Sequence, residues 1–498
     1  MQRWLKYLVL ALSLVCLGAT PSLAQTAKAD KAAKPSYTDA LLLIDVWLDA
    51  QRDYEKLVGL SAGVVVGQNL VWSGAYGNLD AAGKAPAQAD TLYSICSISK
   101  TFTAVAIMQL VEAGKLRLDD DIGDLLPEFK VQRTDADSGP ITIRALLTHA
   151  SGLPGEAGYA GFQGPDWRFP SKAELKAKLK EVRTLYAANT YNRYSNLGLA
   201  LLGLVVEQLS GMTYADYLQQ QIFTPLQLTD TRVGLPTDLL GTRLAVAYGP
   251  IKRDGTRERF APFDTAAYAG AAGITSTVPD LGRFAAWQFR LLKSGGSELL
   301  RVASLREMQR VQWMDSDGKK TWGLGFVVVP NNGNKLVSHT GSCPGYLTAL
   351  VMQPKDEVAV IAMTNNQVTI GDYTRGMRTI LDKGRNLAER SDKDKLDLAV
   401  YAGLYDRRNR GGEQAIVPWG NGLAILDLPS PDPAAGLDVY KHKGDDVFQT
   451  LREDGSVKDE IRFLRDAAGR VTGYLEDSHT SSRLGDLPTK PRSATNPR

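Results

Sequence analysis

The run Thr101-Phe102-Thr103-Ala104-Val105-Ala106-Ile107-Met108-Gln109-Leu110-Val111 leaves almost no polar face. A helix that is apolar all round belongs in an interior, so this segment reads as a buried helix around which a core must be laid. Ser97-Ile98-Ser99-Lys100 stands at its head. Residues three apart share a helix face, which sets the Ser97 hydroxyl beside the Lys100 ammonium. The helix N-terminus adds partial positive charge and free backbone N–H groups. A serine hydroxyl is a weak nucleophile unless a neighbour takes its proton. A partly desolvated lysine, depressed in pKa, does that. Ser-x-x-Lys also arises by chance on solvated helix faces, but the apolar helix that follows leaves little room for one.

The chain has 498 residues, too many for one ordinary core, so two or more domains are expected. With 44% hydrophobic and 23% charged residues and a net charge of +3, it has the mix of a soluble globular protein. Interspersed charges exclude a nucleic-acid or polyanion partner. Residues 1–24 read as a secretory signal: Arg3 and Lys6 lead, Tyr7 to Leu17 is apolar, and Pro21-Ser22-Leu23-Ala24 offers a small-x-small cleavage site. An uncleaved anchor is the alternative; lipid attachment at Cys16 fits less well after bulky Leu14-Val15. No other segment is long and apolar enough for a bilayer. The expected location is therefore periplasmic or secreted, with no membrane span after cleavage. Cys96 and Cys343 then remain in a disulfide-permissive compartment, two unrelated buried thiols being the alternative.

Residues 25–37 are poor in bulky apolar side chains and read as a flexible tether. A main domain is expected over 38–392. It opens with an amphipathic helix over 38–59, carrying Leu41, Leu42, Leu43, Val46, Trp47 and Leu57. A hairpin follows, Ser61–Val66 and Leu70–Gly74 joined by Gly67-Gln68-Asn69. The Ser97 helix ends near Gly114. A mostly polar, helical middle from 120 to 290 contains a buried helix over Leu199–Val206. Strands are expected at Leu324–Val329, Lys335–His339, Leu347–Met352 and Val358–Met363, with a turn at Asn332-Gly333 and a closing helix near 368–390. From 393 to 486 short strands alternate with turns at Asn421-Gly422, Asp454-Gly455 and Ala468-Gly469. That pattern reads as an all-β domain, a small barrel or sandwich, that shapes the mouth of a site, mediates oligomerisation or simply stabilises. Residues 487–498 read as a tail.

Two further motifs matter. Tyr194-Ser195-Asn196 precedes an apolar helix; a phenol shuttles a proton if a cation holds its pKa down, and an amide binds a carbonyl. The plain alternative is a polar loop with a helix cap. His339-Thr340-Gly341 ends a strand, where a glycine lets a substrate backbone approach; the plain alternative is a strand edge entering a turn. In this order, Ser-x-x-Lys, Tyr-x-Asn and His-Thr-Gly resemble the motifs of the penicillin-recognising serine hydrolases. That group includes class C β-lactamases, DD-peptidases, D-aminopeptidases and lactamase-fold carboxylesterases. Leu146-Leu147-Thr148-His149-Ala150-Ser151-Gly152-Leu153, Ala272-Gly273-Ile274-Thr275-Ser276-Thr277 and Leu116-Arg117-Leu118-Asp119-Asp120 are similar to the group as well. The resemblance spans residues 40 to 385.

It implies an α+β, β-lactamase/transpeptidase-like fold: an antiparallel sheet flanked by helices plus a helical subdomain, here with the C-terminal all-β, barrel-like domain. It implies that Ser97 is acylated, Lys100 takes its proton, and Tyr194 serves as partner base and donor to the leaving group. Asn196 would orient the substrate carbonyl, and His339, Thr340 and Gly341 would bind the substrate's far side. The N–H groups of Ser97 and Ser342 would form the oxyanion hole. Because those two segments lie side by side in the resembled fold, a Cys96–Cys343 disulfide is expected. The implied activity is an exported serine hydrolase on ester or amide substrates, D-amino-acid peptides among them. The alternatives are a slow-turnover penicillin-binding or sensor protein, a β-lactamase, or a degenerate binding module. Two departures stand out. His339 replaces a lysine common in true β-lactamases, and Cys96 stands where the group often has glycine.

A Ser-His-Asp triad is the competing mechanism. The four histidines are His149, His339, His442 and His479, and no Gly-x-Ser-x-Gly elbow accompanies them. His442 and His479 read as surface residues of the β domain. No metal-ligand spacing is present, so no cofactor or metal is expected. The expected partner is a small-molecule or peptide substrate; oligomeric state is open.

Overall fold

The computed structural model describes residues 37–488, apart from positions 84, 160, 165, 320, 332, 386, 388–395, 408–410 and 434. The leader at 1–24, the tether to residue 36, the tail from 489 and Asn332 of the expected turn lie outside the described residues.

Among the described residues eight strands form one antiparallel sheet. They are β1 (Gly59–Val66), β2 (Asn69–Gly77), β3 (Trp313–Met314), β4 (Thr321–Trp322), β5 (Val327–Asn331), β6 (Asn334–Cys343), β7 (Tyr346–Gln353) and β8 (Val358–Thr364). The order is β3-β4-β5-β6-β7-β8-β1-β2, so the first strand pairs with the last, Leu60 opposite Thr364. Five helices position the rest: α1 (Thr38–Tyr54), α2 (Ser99–Glu112), α3 (Asn196–Ser210), α4 (Val278–Ser294) and α5 (Ile370–Gly384). α1 and α5 bury Leu43, Trp47, Tyr373 and Met377 against one sheet face. The other face, covered by α4, shares a core with α2 and α3.

α2 is buried along nearly its whole length. Two of its buried hydroxyls are satisfied by a distant segment of chain. Thr103 Oγ1 donates to the Gly270 carbonyl at 2.6 Å, and Ser99 Oγ accepts the Ile274 N–H at 3.0 Å. α3 begins where Ser195 Oγ caps the Gly198 N–H at 3.0 Å and stops at Gly211, whose φ is 74°. Three expected elements are shorter than the sequence indicated. The first helix stops at Tyr54 because Lys56 turns the chain left-handed at φ 49°; Leu57 still reaches the core from that turn. The strand expected from Leu324 begins only at Val327. A Cβ on Gly325 would lie 2.4 Å from Ala104 Cβ, so this segment bends against α2 before it joins the sheet. The closing helix is Ile370–Gly384 rather than 368–390.

The C-terminal region is a closed barrel of eight strands, Gly403–Asp406 through His479–Gly485. Along Glu413–Trp419 and Gly422–Leu428 the side chains alternate between two cores, as period two requires. Ile416, Leu423 and Ile425 face the barrel interior with Tyr405, Phe448 and Phe463. Ala415, Val417, Trp419, Ala424 and Leu426 face outward into the core of α1. The Trp47 indole N–H donates to the Ser430 carbonyl at 2.8 Å. The Ser430 N–H donates to Gln51 Oε1 at 3.0 Å, and the Gly420 N–H to Asp39 Oδ2 at 2.8 Å. The barrel thus docks on α1, behind the sheet, whereas Ser97 belongs with α2 on the other side.

Trp47 is 1% exposed and joins three layers. Trp47→Ala is expected to cost about 3–5 kcal/mol, the usual range for a buried aromatic truncated to alanine. A urea unfolding curve measures it; a midpoint equal to wild type would show that α1 is not the joint between sheet and barrel. Among the described residues no single helix is long and apolar enough to cross a membrane.

Candidate active site

Ser97 sits on a 3-10 turn, Cys96–Ile98, immediately ahead of α2 rather than in its first turn. A 3-10 turn eclipses residues three apart, so the alignment with Lys100 survives: Nζ lies 2.9 Å from Ser97 Oγ. Several ties hold the turn. The Ile95 N–H donates to the Ile274 carbonyl at 2.9 Å, and Thr348 Oγ1 donates to the Ile95 carbonyl at 3.0 Å. Cys96 has φ 49°, a left-handed conformation at which glycine is at ease and other residues are strained. The expected bridge is present: Cys96 is disulfide-bonded to Cys343 with a Cα–Cα separation of 5.7 Å. It ties the turn that carries Ser97 to the end of β6.

Gly341 has a different reason to be glycine from the one the sequence indicated. A Cβ there would lie 2.2 Å from the Ile95 carbonyl oxygen and 2.3 Å from Thr348 Oγ1. The close approach is by the chain's own backbone just ahead of Ser97. Thr340 and Ser342, which flank it, are exposed, and Ser97 is half-buried, so a ligand can reach all three.

Lys100 is fully buried. Besides Ser97 Oγ, its Nζ donates to Asn196 Oδ1 at 2.7 Å and to the Ala271 carbonyl at 2.8 Å. Three acceptors match the three protons of an ammonium. Burial nevertheless pulls its pKa down to about 7, against a partial upward pull from Glu156. The neutral amine keeps two donor bonds and turns its lone pair to Ser97. Asn196 is engaged at both ends, since its Nδ2 also donates to Glu156 Oε1 at 2.7 Å. It holds the lysine, and Nδ2 keeps a second N–H beyond the one given to Glu156.

Tyr194 hydrogen-bonds Ser97, and burial of its hydroxyl raises its pKa although the residue as a whole is 37% exposed. Lys100 Nζ lies 4.8 Å from the ring centroid. The expectation that a cation holds this phenol down is therefore not met: desolvation wins, and the phenol rests protonated. One ring face packs on His149, centroids 4.3 Å apart, with Trp322 at 5.9 Å and His339 at 6.4 Å.

Both imidazoles are buried. His149 Nδ1 accepts the Ser195 N–H at 3.2 Å. His339 Nδ1 lies 2.7 Å from the Thr340 carbonyl, to which it donates. Each Nε2 is buried without a partner. Burial holds His149 well below the usual histidine range and His339 down to about 3, so both rest neutral. With both Nδ1 atoms on backbone groups, neither imidazole stands in Ser-His-Asp order. His442 and His479 are exposed on the barrel. Among the described residues no group of three or more His, Cys, Asp or Glu forms a metal site.

Glu156, Tyr268 and Trp322 were not legible as site residues. Glu156 directly follows the stretch Ser151-Gly152-Leu153-Pro154-Gly155; that position beside a family-like segment was the one available signal.

A family model described as Beta-lactamase matches residues 45–385. The chain belongs to the beta-lactamase family. It is thus a member of the penicillin-recognising serine hydrolases that its three motifs resemble. Penicillin-binding protein 4 of Amycolatopsis lactamdurans is 28% identical over 336 residues, 64% of this chain and 85% of that protein. D-alanyl-D-alanine-carboxypeptidase/endopeptidase AmpH of Escherichia coli (strain K12) is 28% identical over 326 residues, 62% of this chain and 80% of that protein. The octameric penicillin-binding protein homologue from Pyrococcus abyssi matches in structure with a TM-score of 0.60 at 21% identity, covering 88% of this chain and 99% of that one. At that identity the likeness is one of fold.

Proposed function

We propose that this beta-lactamase-family chain is an exported serine hydrolase that works through an acyl-enzyme on Ser97. Its substrates are esters or amides, with D-amino-acid peptides the first class to try, since one relative is named a D-alanyl-D-alanine carboxypeptidase. The observation that carries the reading is the contact of Lys100 Nζ with Ser97 Oγ at 2.9 Å, made by an amine whose pKa is about 7.

Neutral Lys100 takes the Ser97 proton as Oγ bonds to the carbonyl carbon. The N–H groups of Ser97 and Ser342 receive the oxyanion, a charge that exists only at the tetrahedral stage. Tyr194, protonated at rest, donates to the leaving group, and the proton held on Lys100 replaces the one it gave. Water then attacks the acyl carbon with the same groups in reverse order. Thr340 offers its exposed hydroxyl to the substrate, and the neutral His339 shapes the floor beneath. A neutral imidazole gives no fixed charge for a β-lactam carboxylate, which disfavours strong β-lactamase action.

The test is labelling with fluorophosphonate and fluorescent penicillin, beside kinetics on nitrophenyl esters, nitrocefin and D-Ala-D-Ala peptides. Wild type is expected to label and to sustain turnover on an ester or D-peptide, and Ser97→Ala to lose both. Label that persists in Ser97→Ala would overturn the reading; a stoichiometric burst with no steady state on any substrate would replace it with a sensor.

A further inference from the structure

We propose that Glu156 is a positioning residue for the acyl-transfer reaction: it holds the Asn196 amide with its oxygen toward Lys100 and supplies the negative charge that faces the lysine. The inference rests on the acyl-enzyme reading above.

An asparagine amide has a donor end and an acceptor end of nearly equal size, and its partners decide which way it points. Nζ of a lysine ammonium only donates; an ionised carboxylate only accepts. Asn196 lies between one of each, with Nδ2 2.7 Å from Glu156 Oε1 and Oδ1 2.7 Å from Lys100 Nζ. Without an obligate acceptor at 156, the amide is free to turn its NH2 to the lysine, and two donors would then face each other. Glu156 is itself anchored. Its carboxylate accepts from the Tyr268 hydroxyl, and that hydroxyl accepts the Ala157 N–H at 3.0 Å. The chain Tyr268–Glu156–Asn196–Lys100–Ser97 is therefore continuous from the 266–268 turn to the nucleophile.

Charge gives the second half of the argument. From the loop after residue 148, His149 and Glu156 face Lys100; from the loop before α3, Tyr194; from β6, His339. Tyr268 faces Glu156. Burial keeps both imidazoles and both phenols neutral near pH 7. Glu156 is thus the carboxyl that faces Lys100 among these groups, and its negative charge favours the ammonium. Burial raises its own pKa, so Glu156 and Lys100 titrate as a coupled pair. Removing the carboxylate charge makes Lys100 easier to deprotonate. The acid limb of the acylation profile should then move to lower pH.

The experiment is the pH dependence of the acylation rate, read as the burst with a 4-nitrophenyl ester, for wild type, Glu156→Gln, Glu156→Asp and Ser97→Ala. Glu156→Gln keeps an acceptor for Asn196 but loses the charge; its acid midpoint is expected about one pH unit below wild type. Glu156→Asp, which restores the charge, should bring the midpoint back toward wild type. Glu156→Ala also removes the charge and must shift the midpoint downward, so whichever neutral variant folds provides the test. A midpoint in the neutral variants that stays in place or rises overturns the proposal, because a merely structural role changes amplitude and not the limb. A burst that survives in Ser97→Ala removes the acyl-enzyme reading, and this inference falls with it for that separate reason.

Discussion

Lys100→Met is expected to lower kcat about a thousandfold, within the range of roughly 10²–10⁴ that a positioned proton acceptor contributes. Methionine fills much of the same channel, so the change removes the amine more than the packing. It leaves the Asn196 Oδ1 and Ala271 carbonyl acceptors, at 2.7 and 2.8 Å from Nζ in the native site, without their donor. Leaving buried groups unpaired costs about 1–3 kcal/mol of stability, which a thermal melt separates from the kinetic loss. Wild type supplies the companion result. In the proposed mechanism the amine is the active form, its pKa is about 7, and protonation removes the base; kcat/KM should therefore rise as pH passes upward through 7. A variant that keeps a tenth of wild-type kcat would move the base role from Lys100 to another group.

The second large effect concerns the bridge. Cys96 and Cys343 are separated by 247 residues in sequence, and closing a loop of that length contributes about 5 kcal/mol in the chain-entropy model. The paired change Cys96→Ser with Cys343→Ser is expected to lose much of that, and to lose rate as well. The bridge fastens a residue at φ 49° to the strand that carries Ser342. With it gone, the turn before Ser97 is released to relax, and the two proposed oxyanion donors lose a common tether. Urea unfolding with and without reductant, with kcat on the same samples, reads both. Identical midpoints in the oxidised and reduced forms would remove the bridge as a stabilising element.

The elements legible in the sequence were those with one dominant period or composition. The run 101–111 is apolar on every side and became the central helix α2. The Ser97–Lys100 spacing held because a 3-10 turn and an α-helix both bring residues three apart together. Along 413–428 the alternation was hidden, because both faces of those strands are apolar: one serves the barrel interior and the other α1. The Tyr194 pKa went the other way because its surroundings, His149 and Trp322, come from segments 45 or more residues away in sequence, and only the fold makes them neighbours. Glu156 and Tyr268 lie on loops and turns, where no periodicity marks a residue as inward-facing. The reason for Gly341 is a tertiary contact with Ile95, which a strand pattern does not contain.

The pairing of β1 with β8 bears on how the molecule is made. Thr364 Oγ1 donates to the Gly59 carbonyl across 305 positions of chain, and Trp47 waits for Ser430, 383 positions on. A ribosome delivers residues in order, so a nascent chain holds its first helix and hairpin without their partners until most of translation is over. Contacts of such long range slow folding and leave apolar surface open to aggregation. In this architecture the sheet and its joint with the barrel can close only after the C-terminal segments have been made.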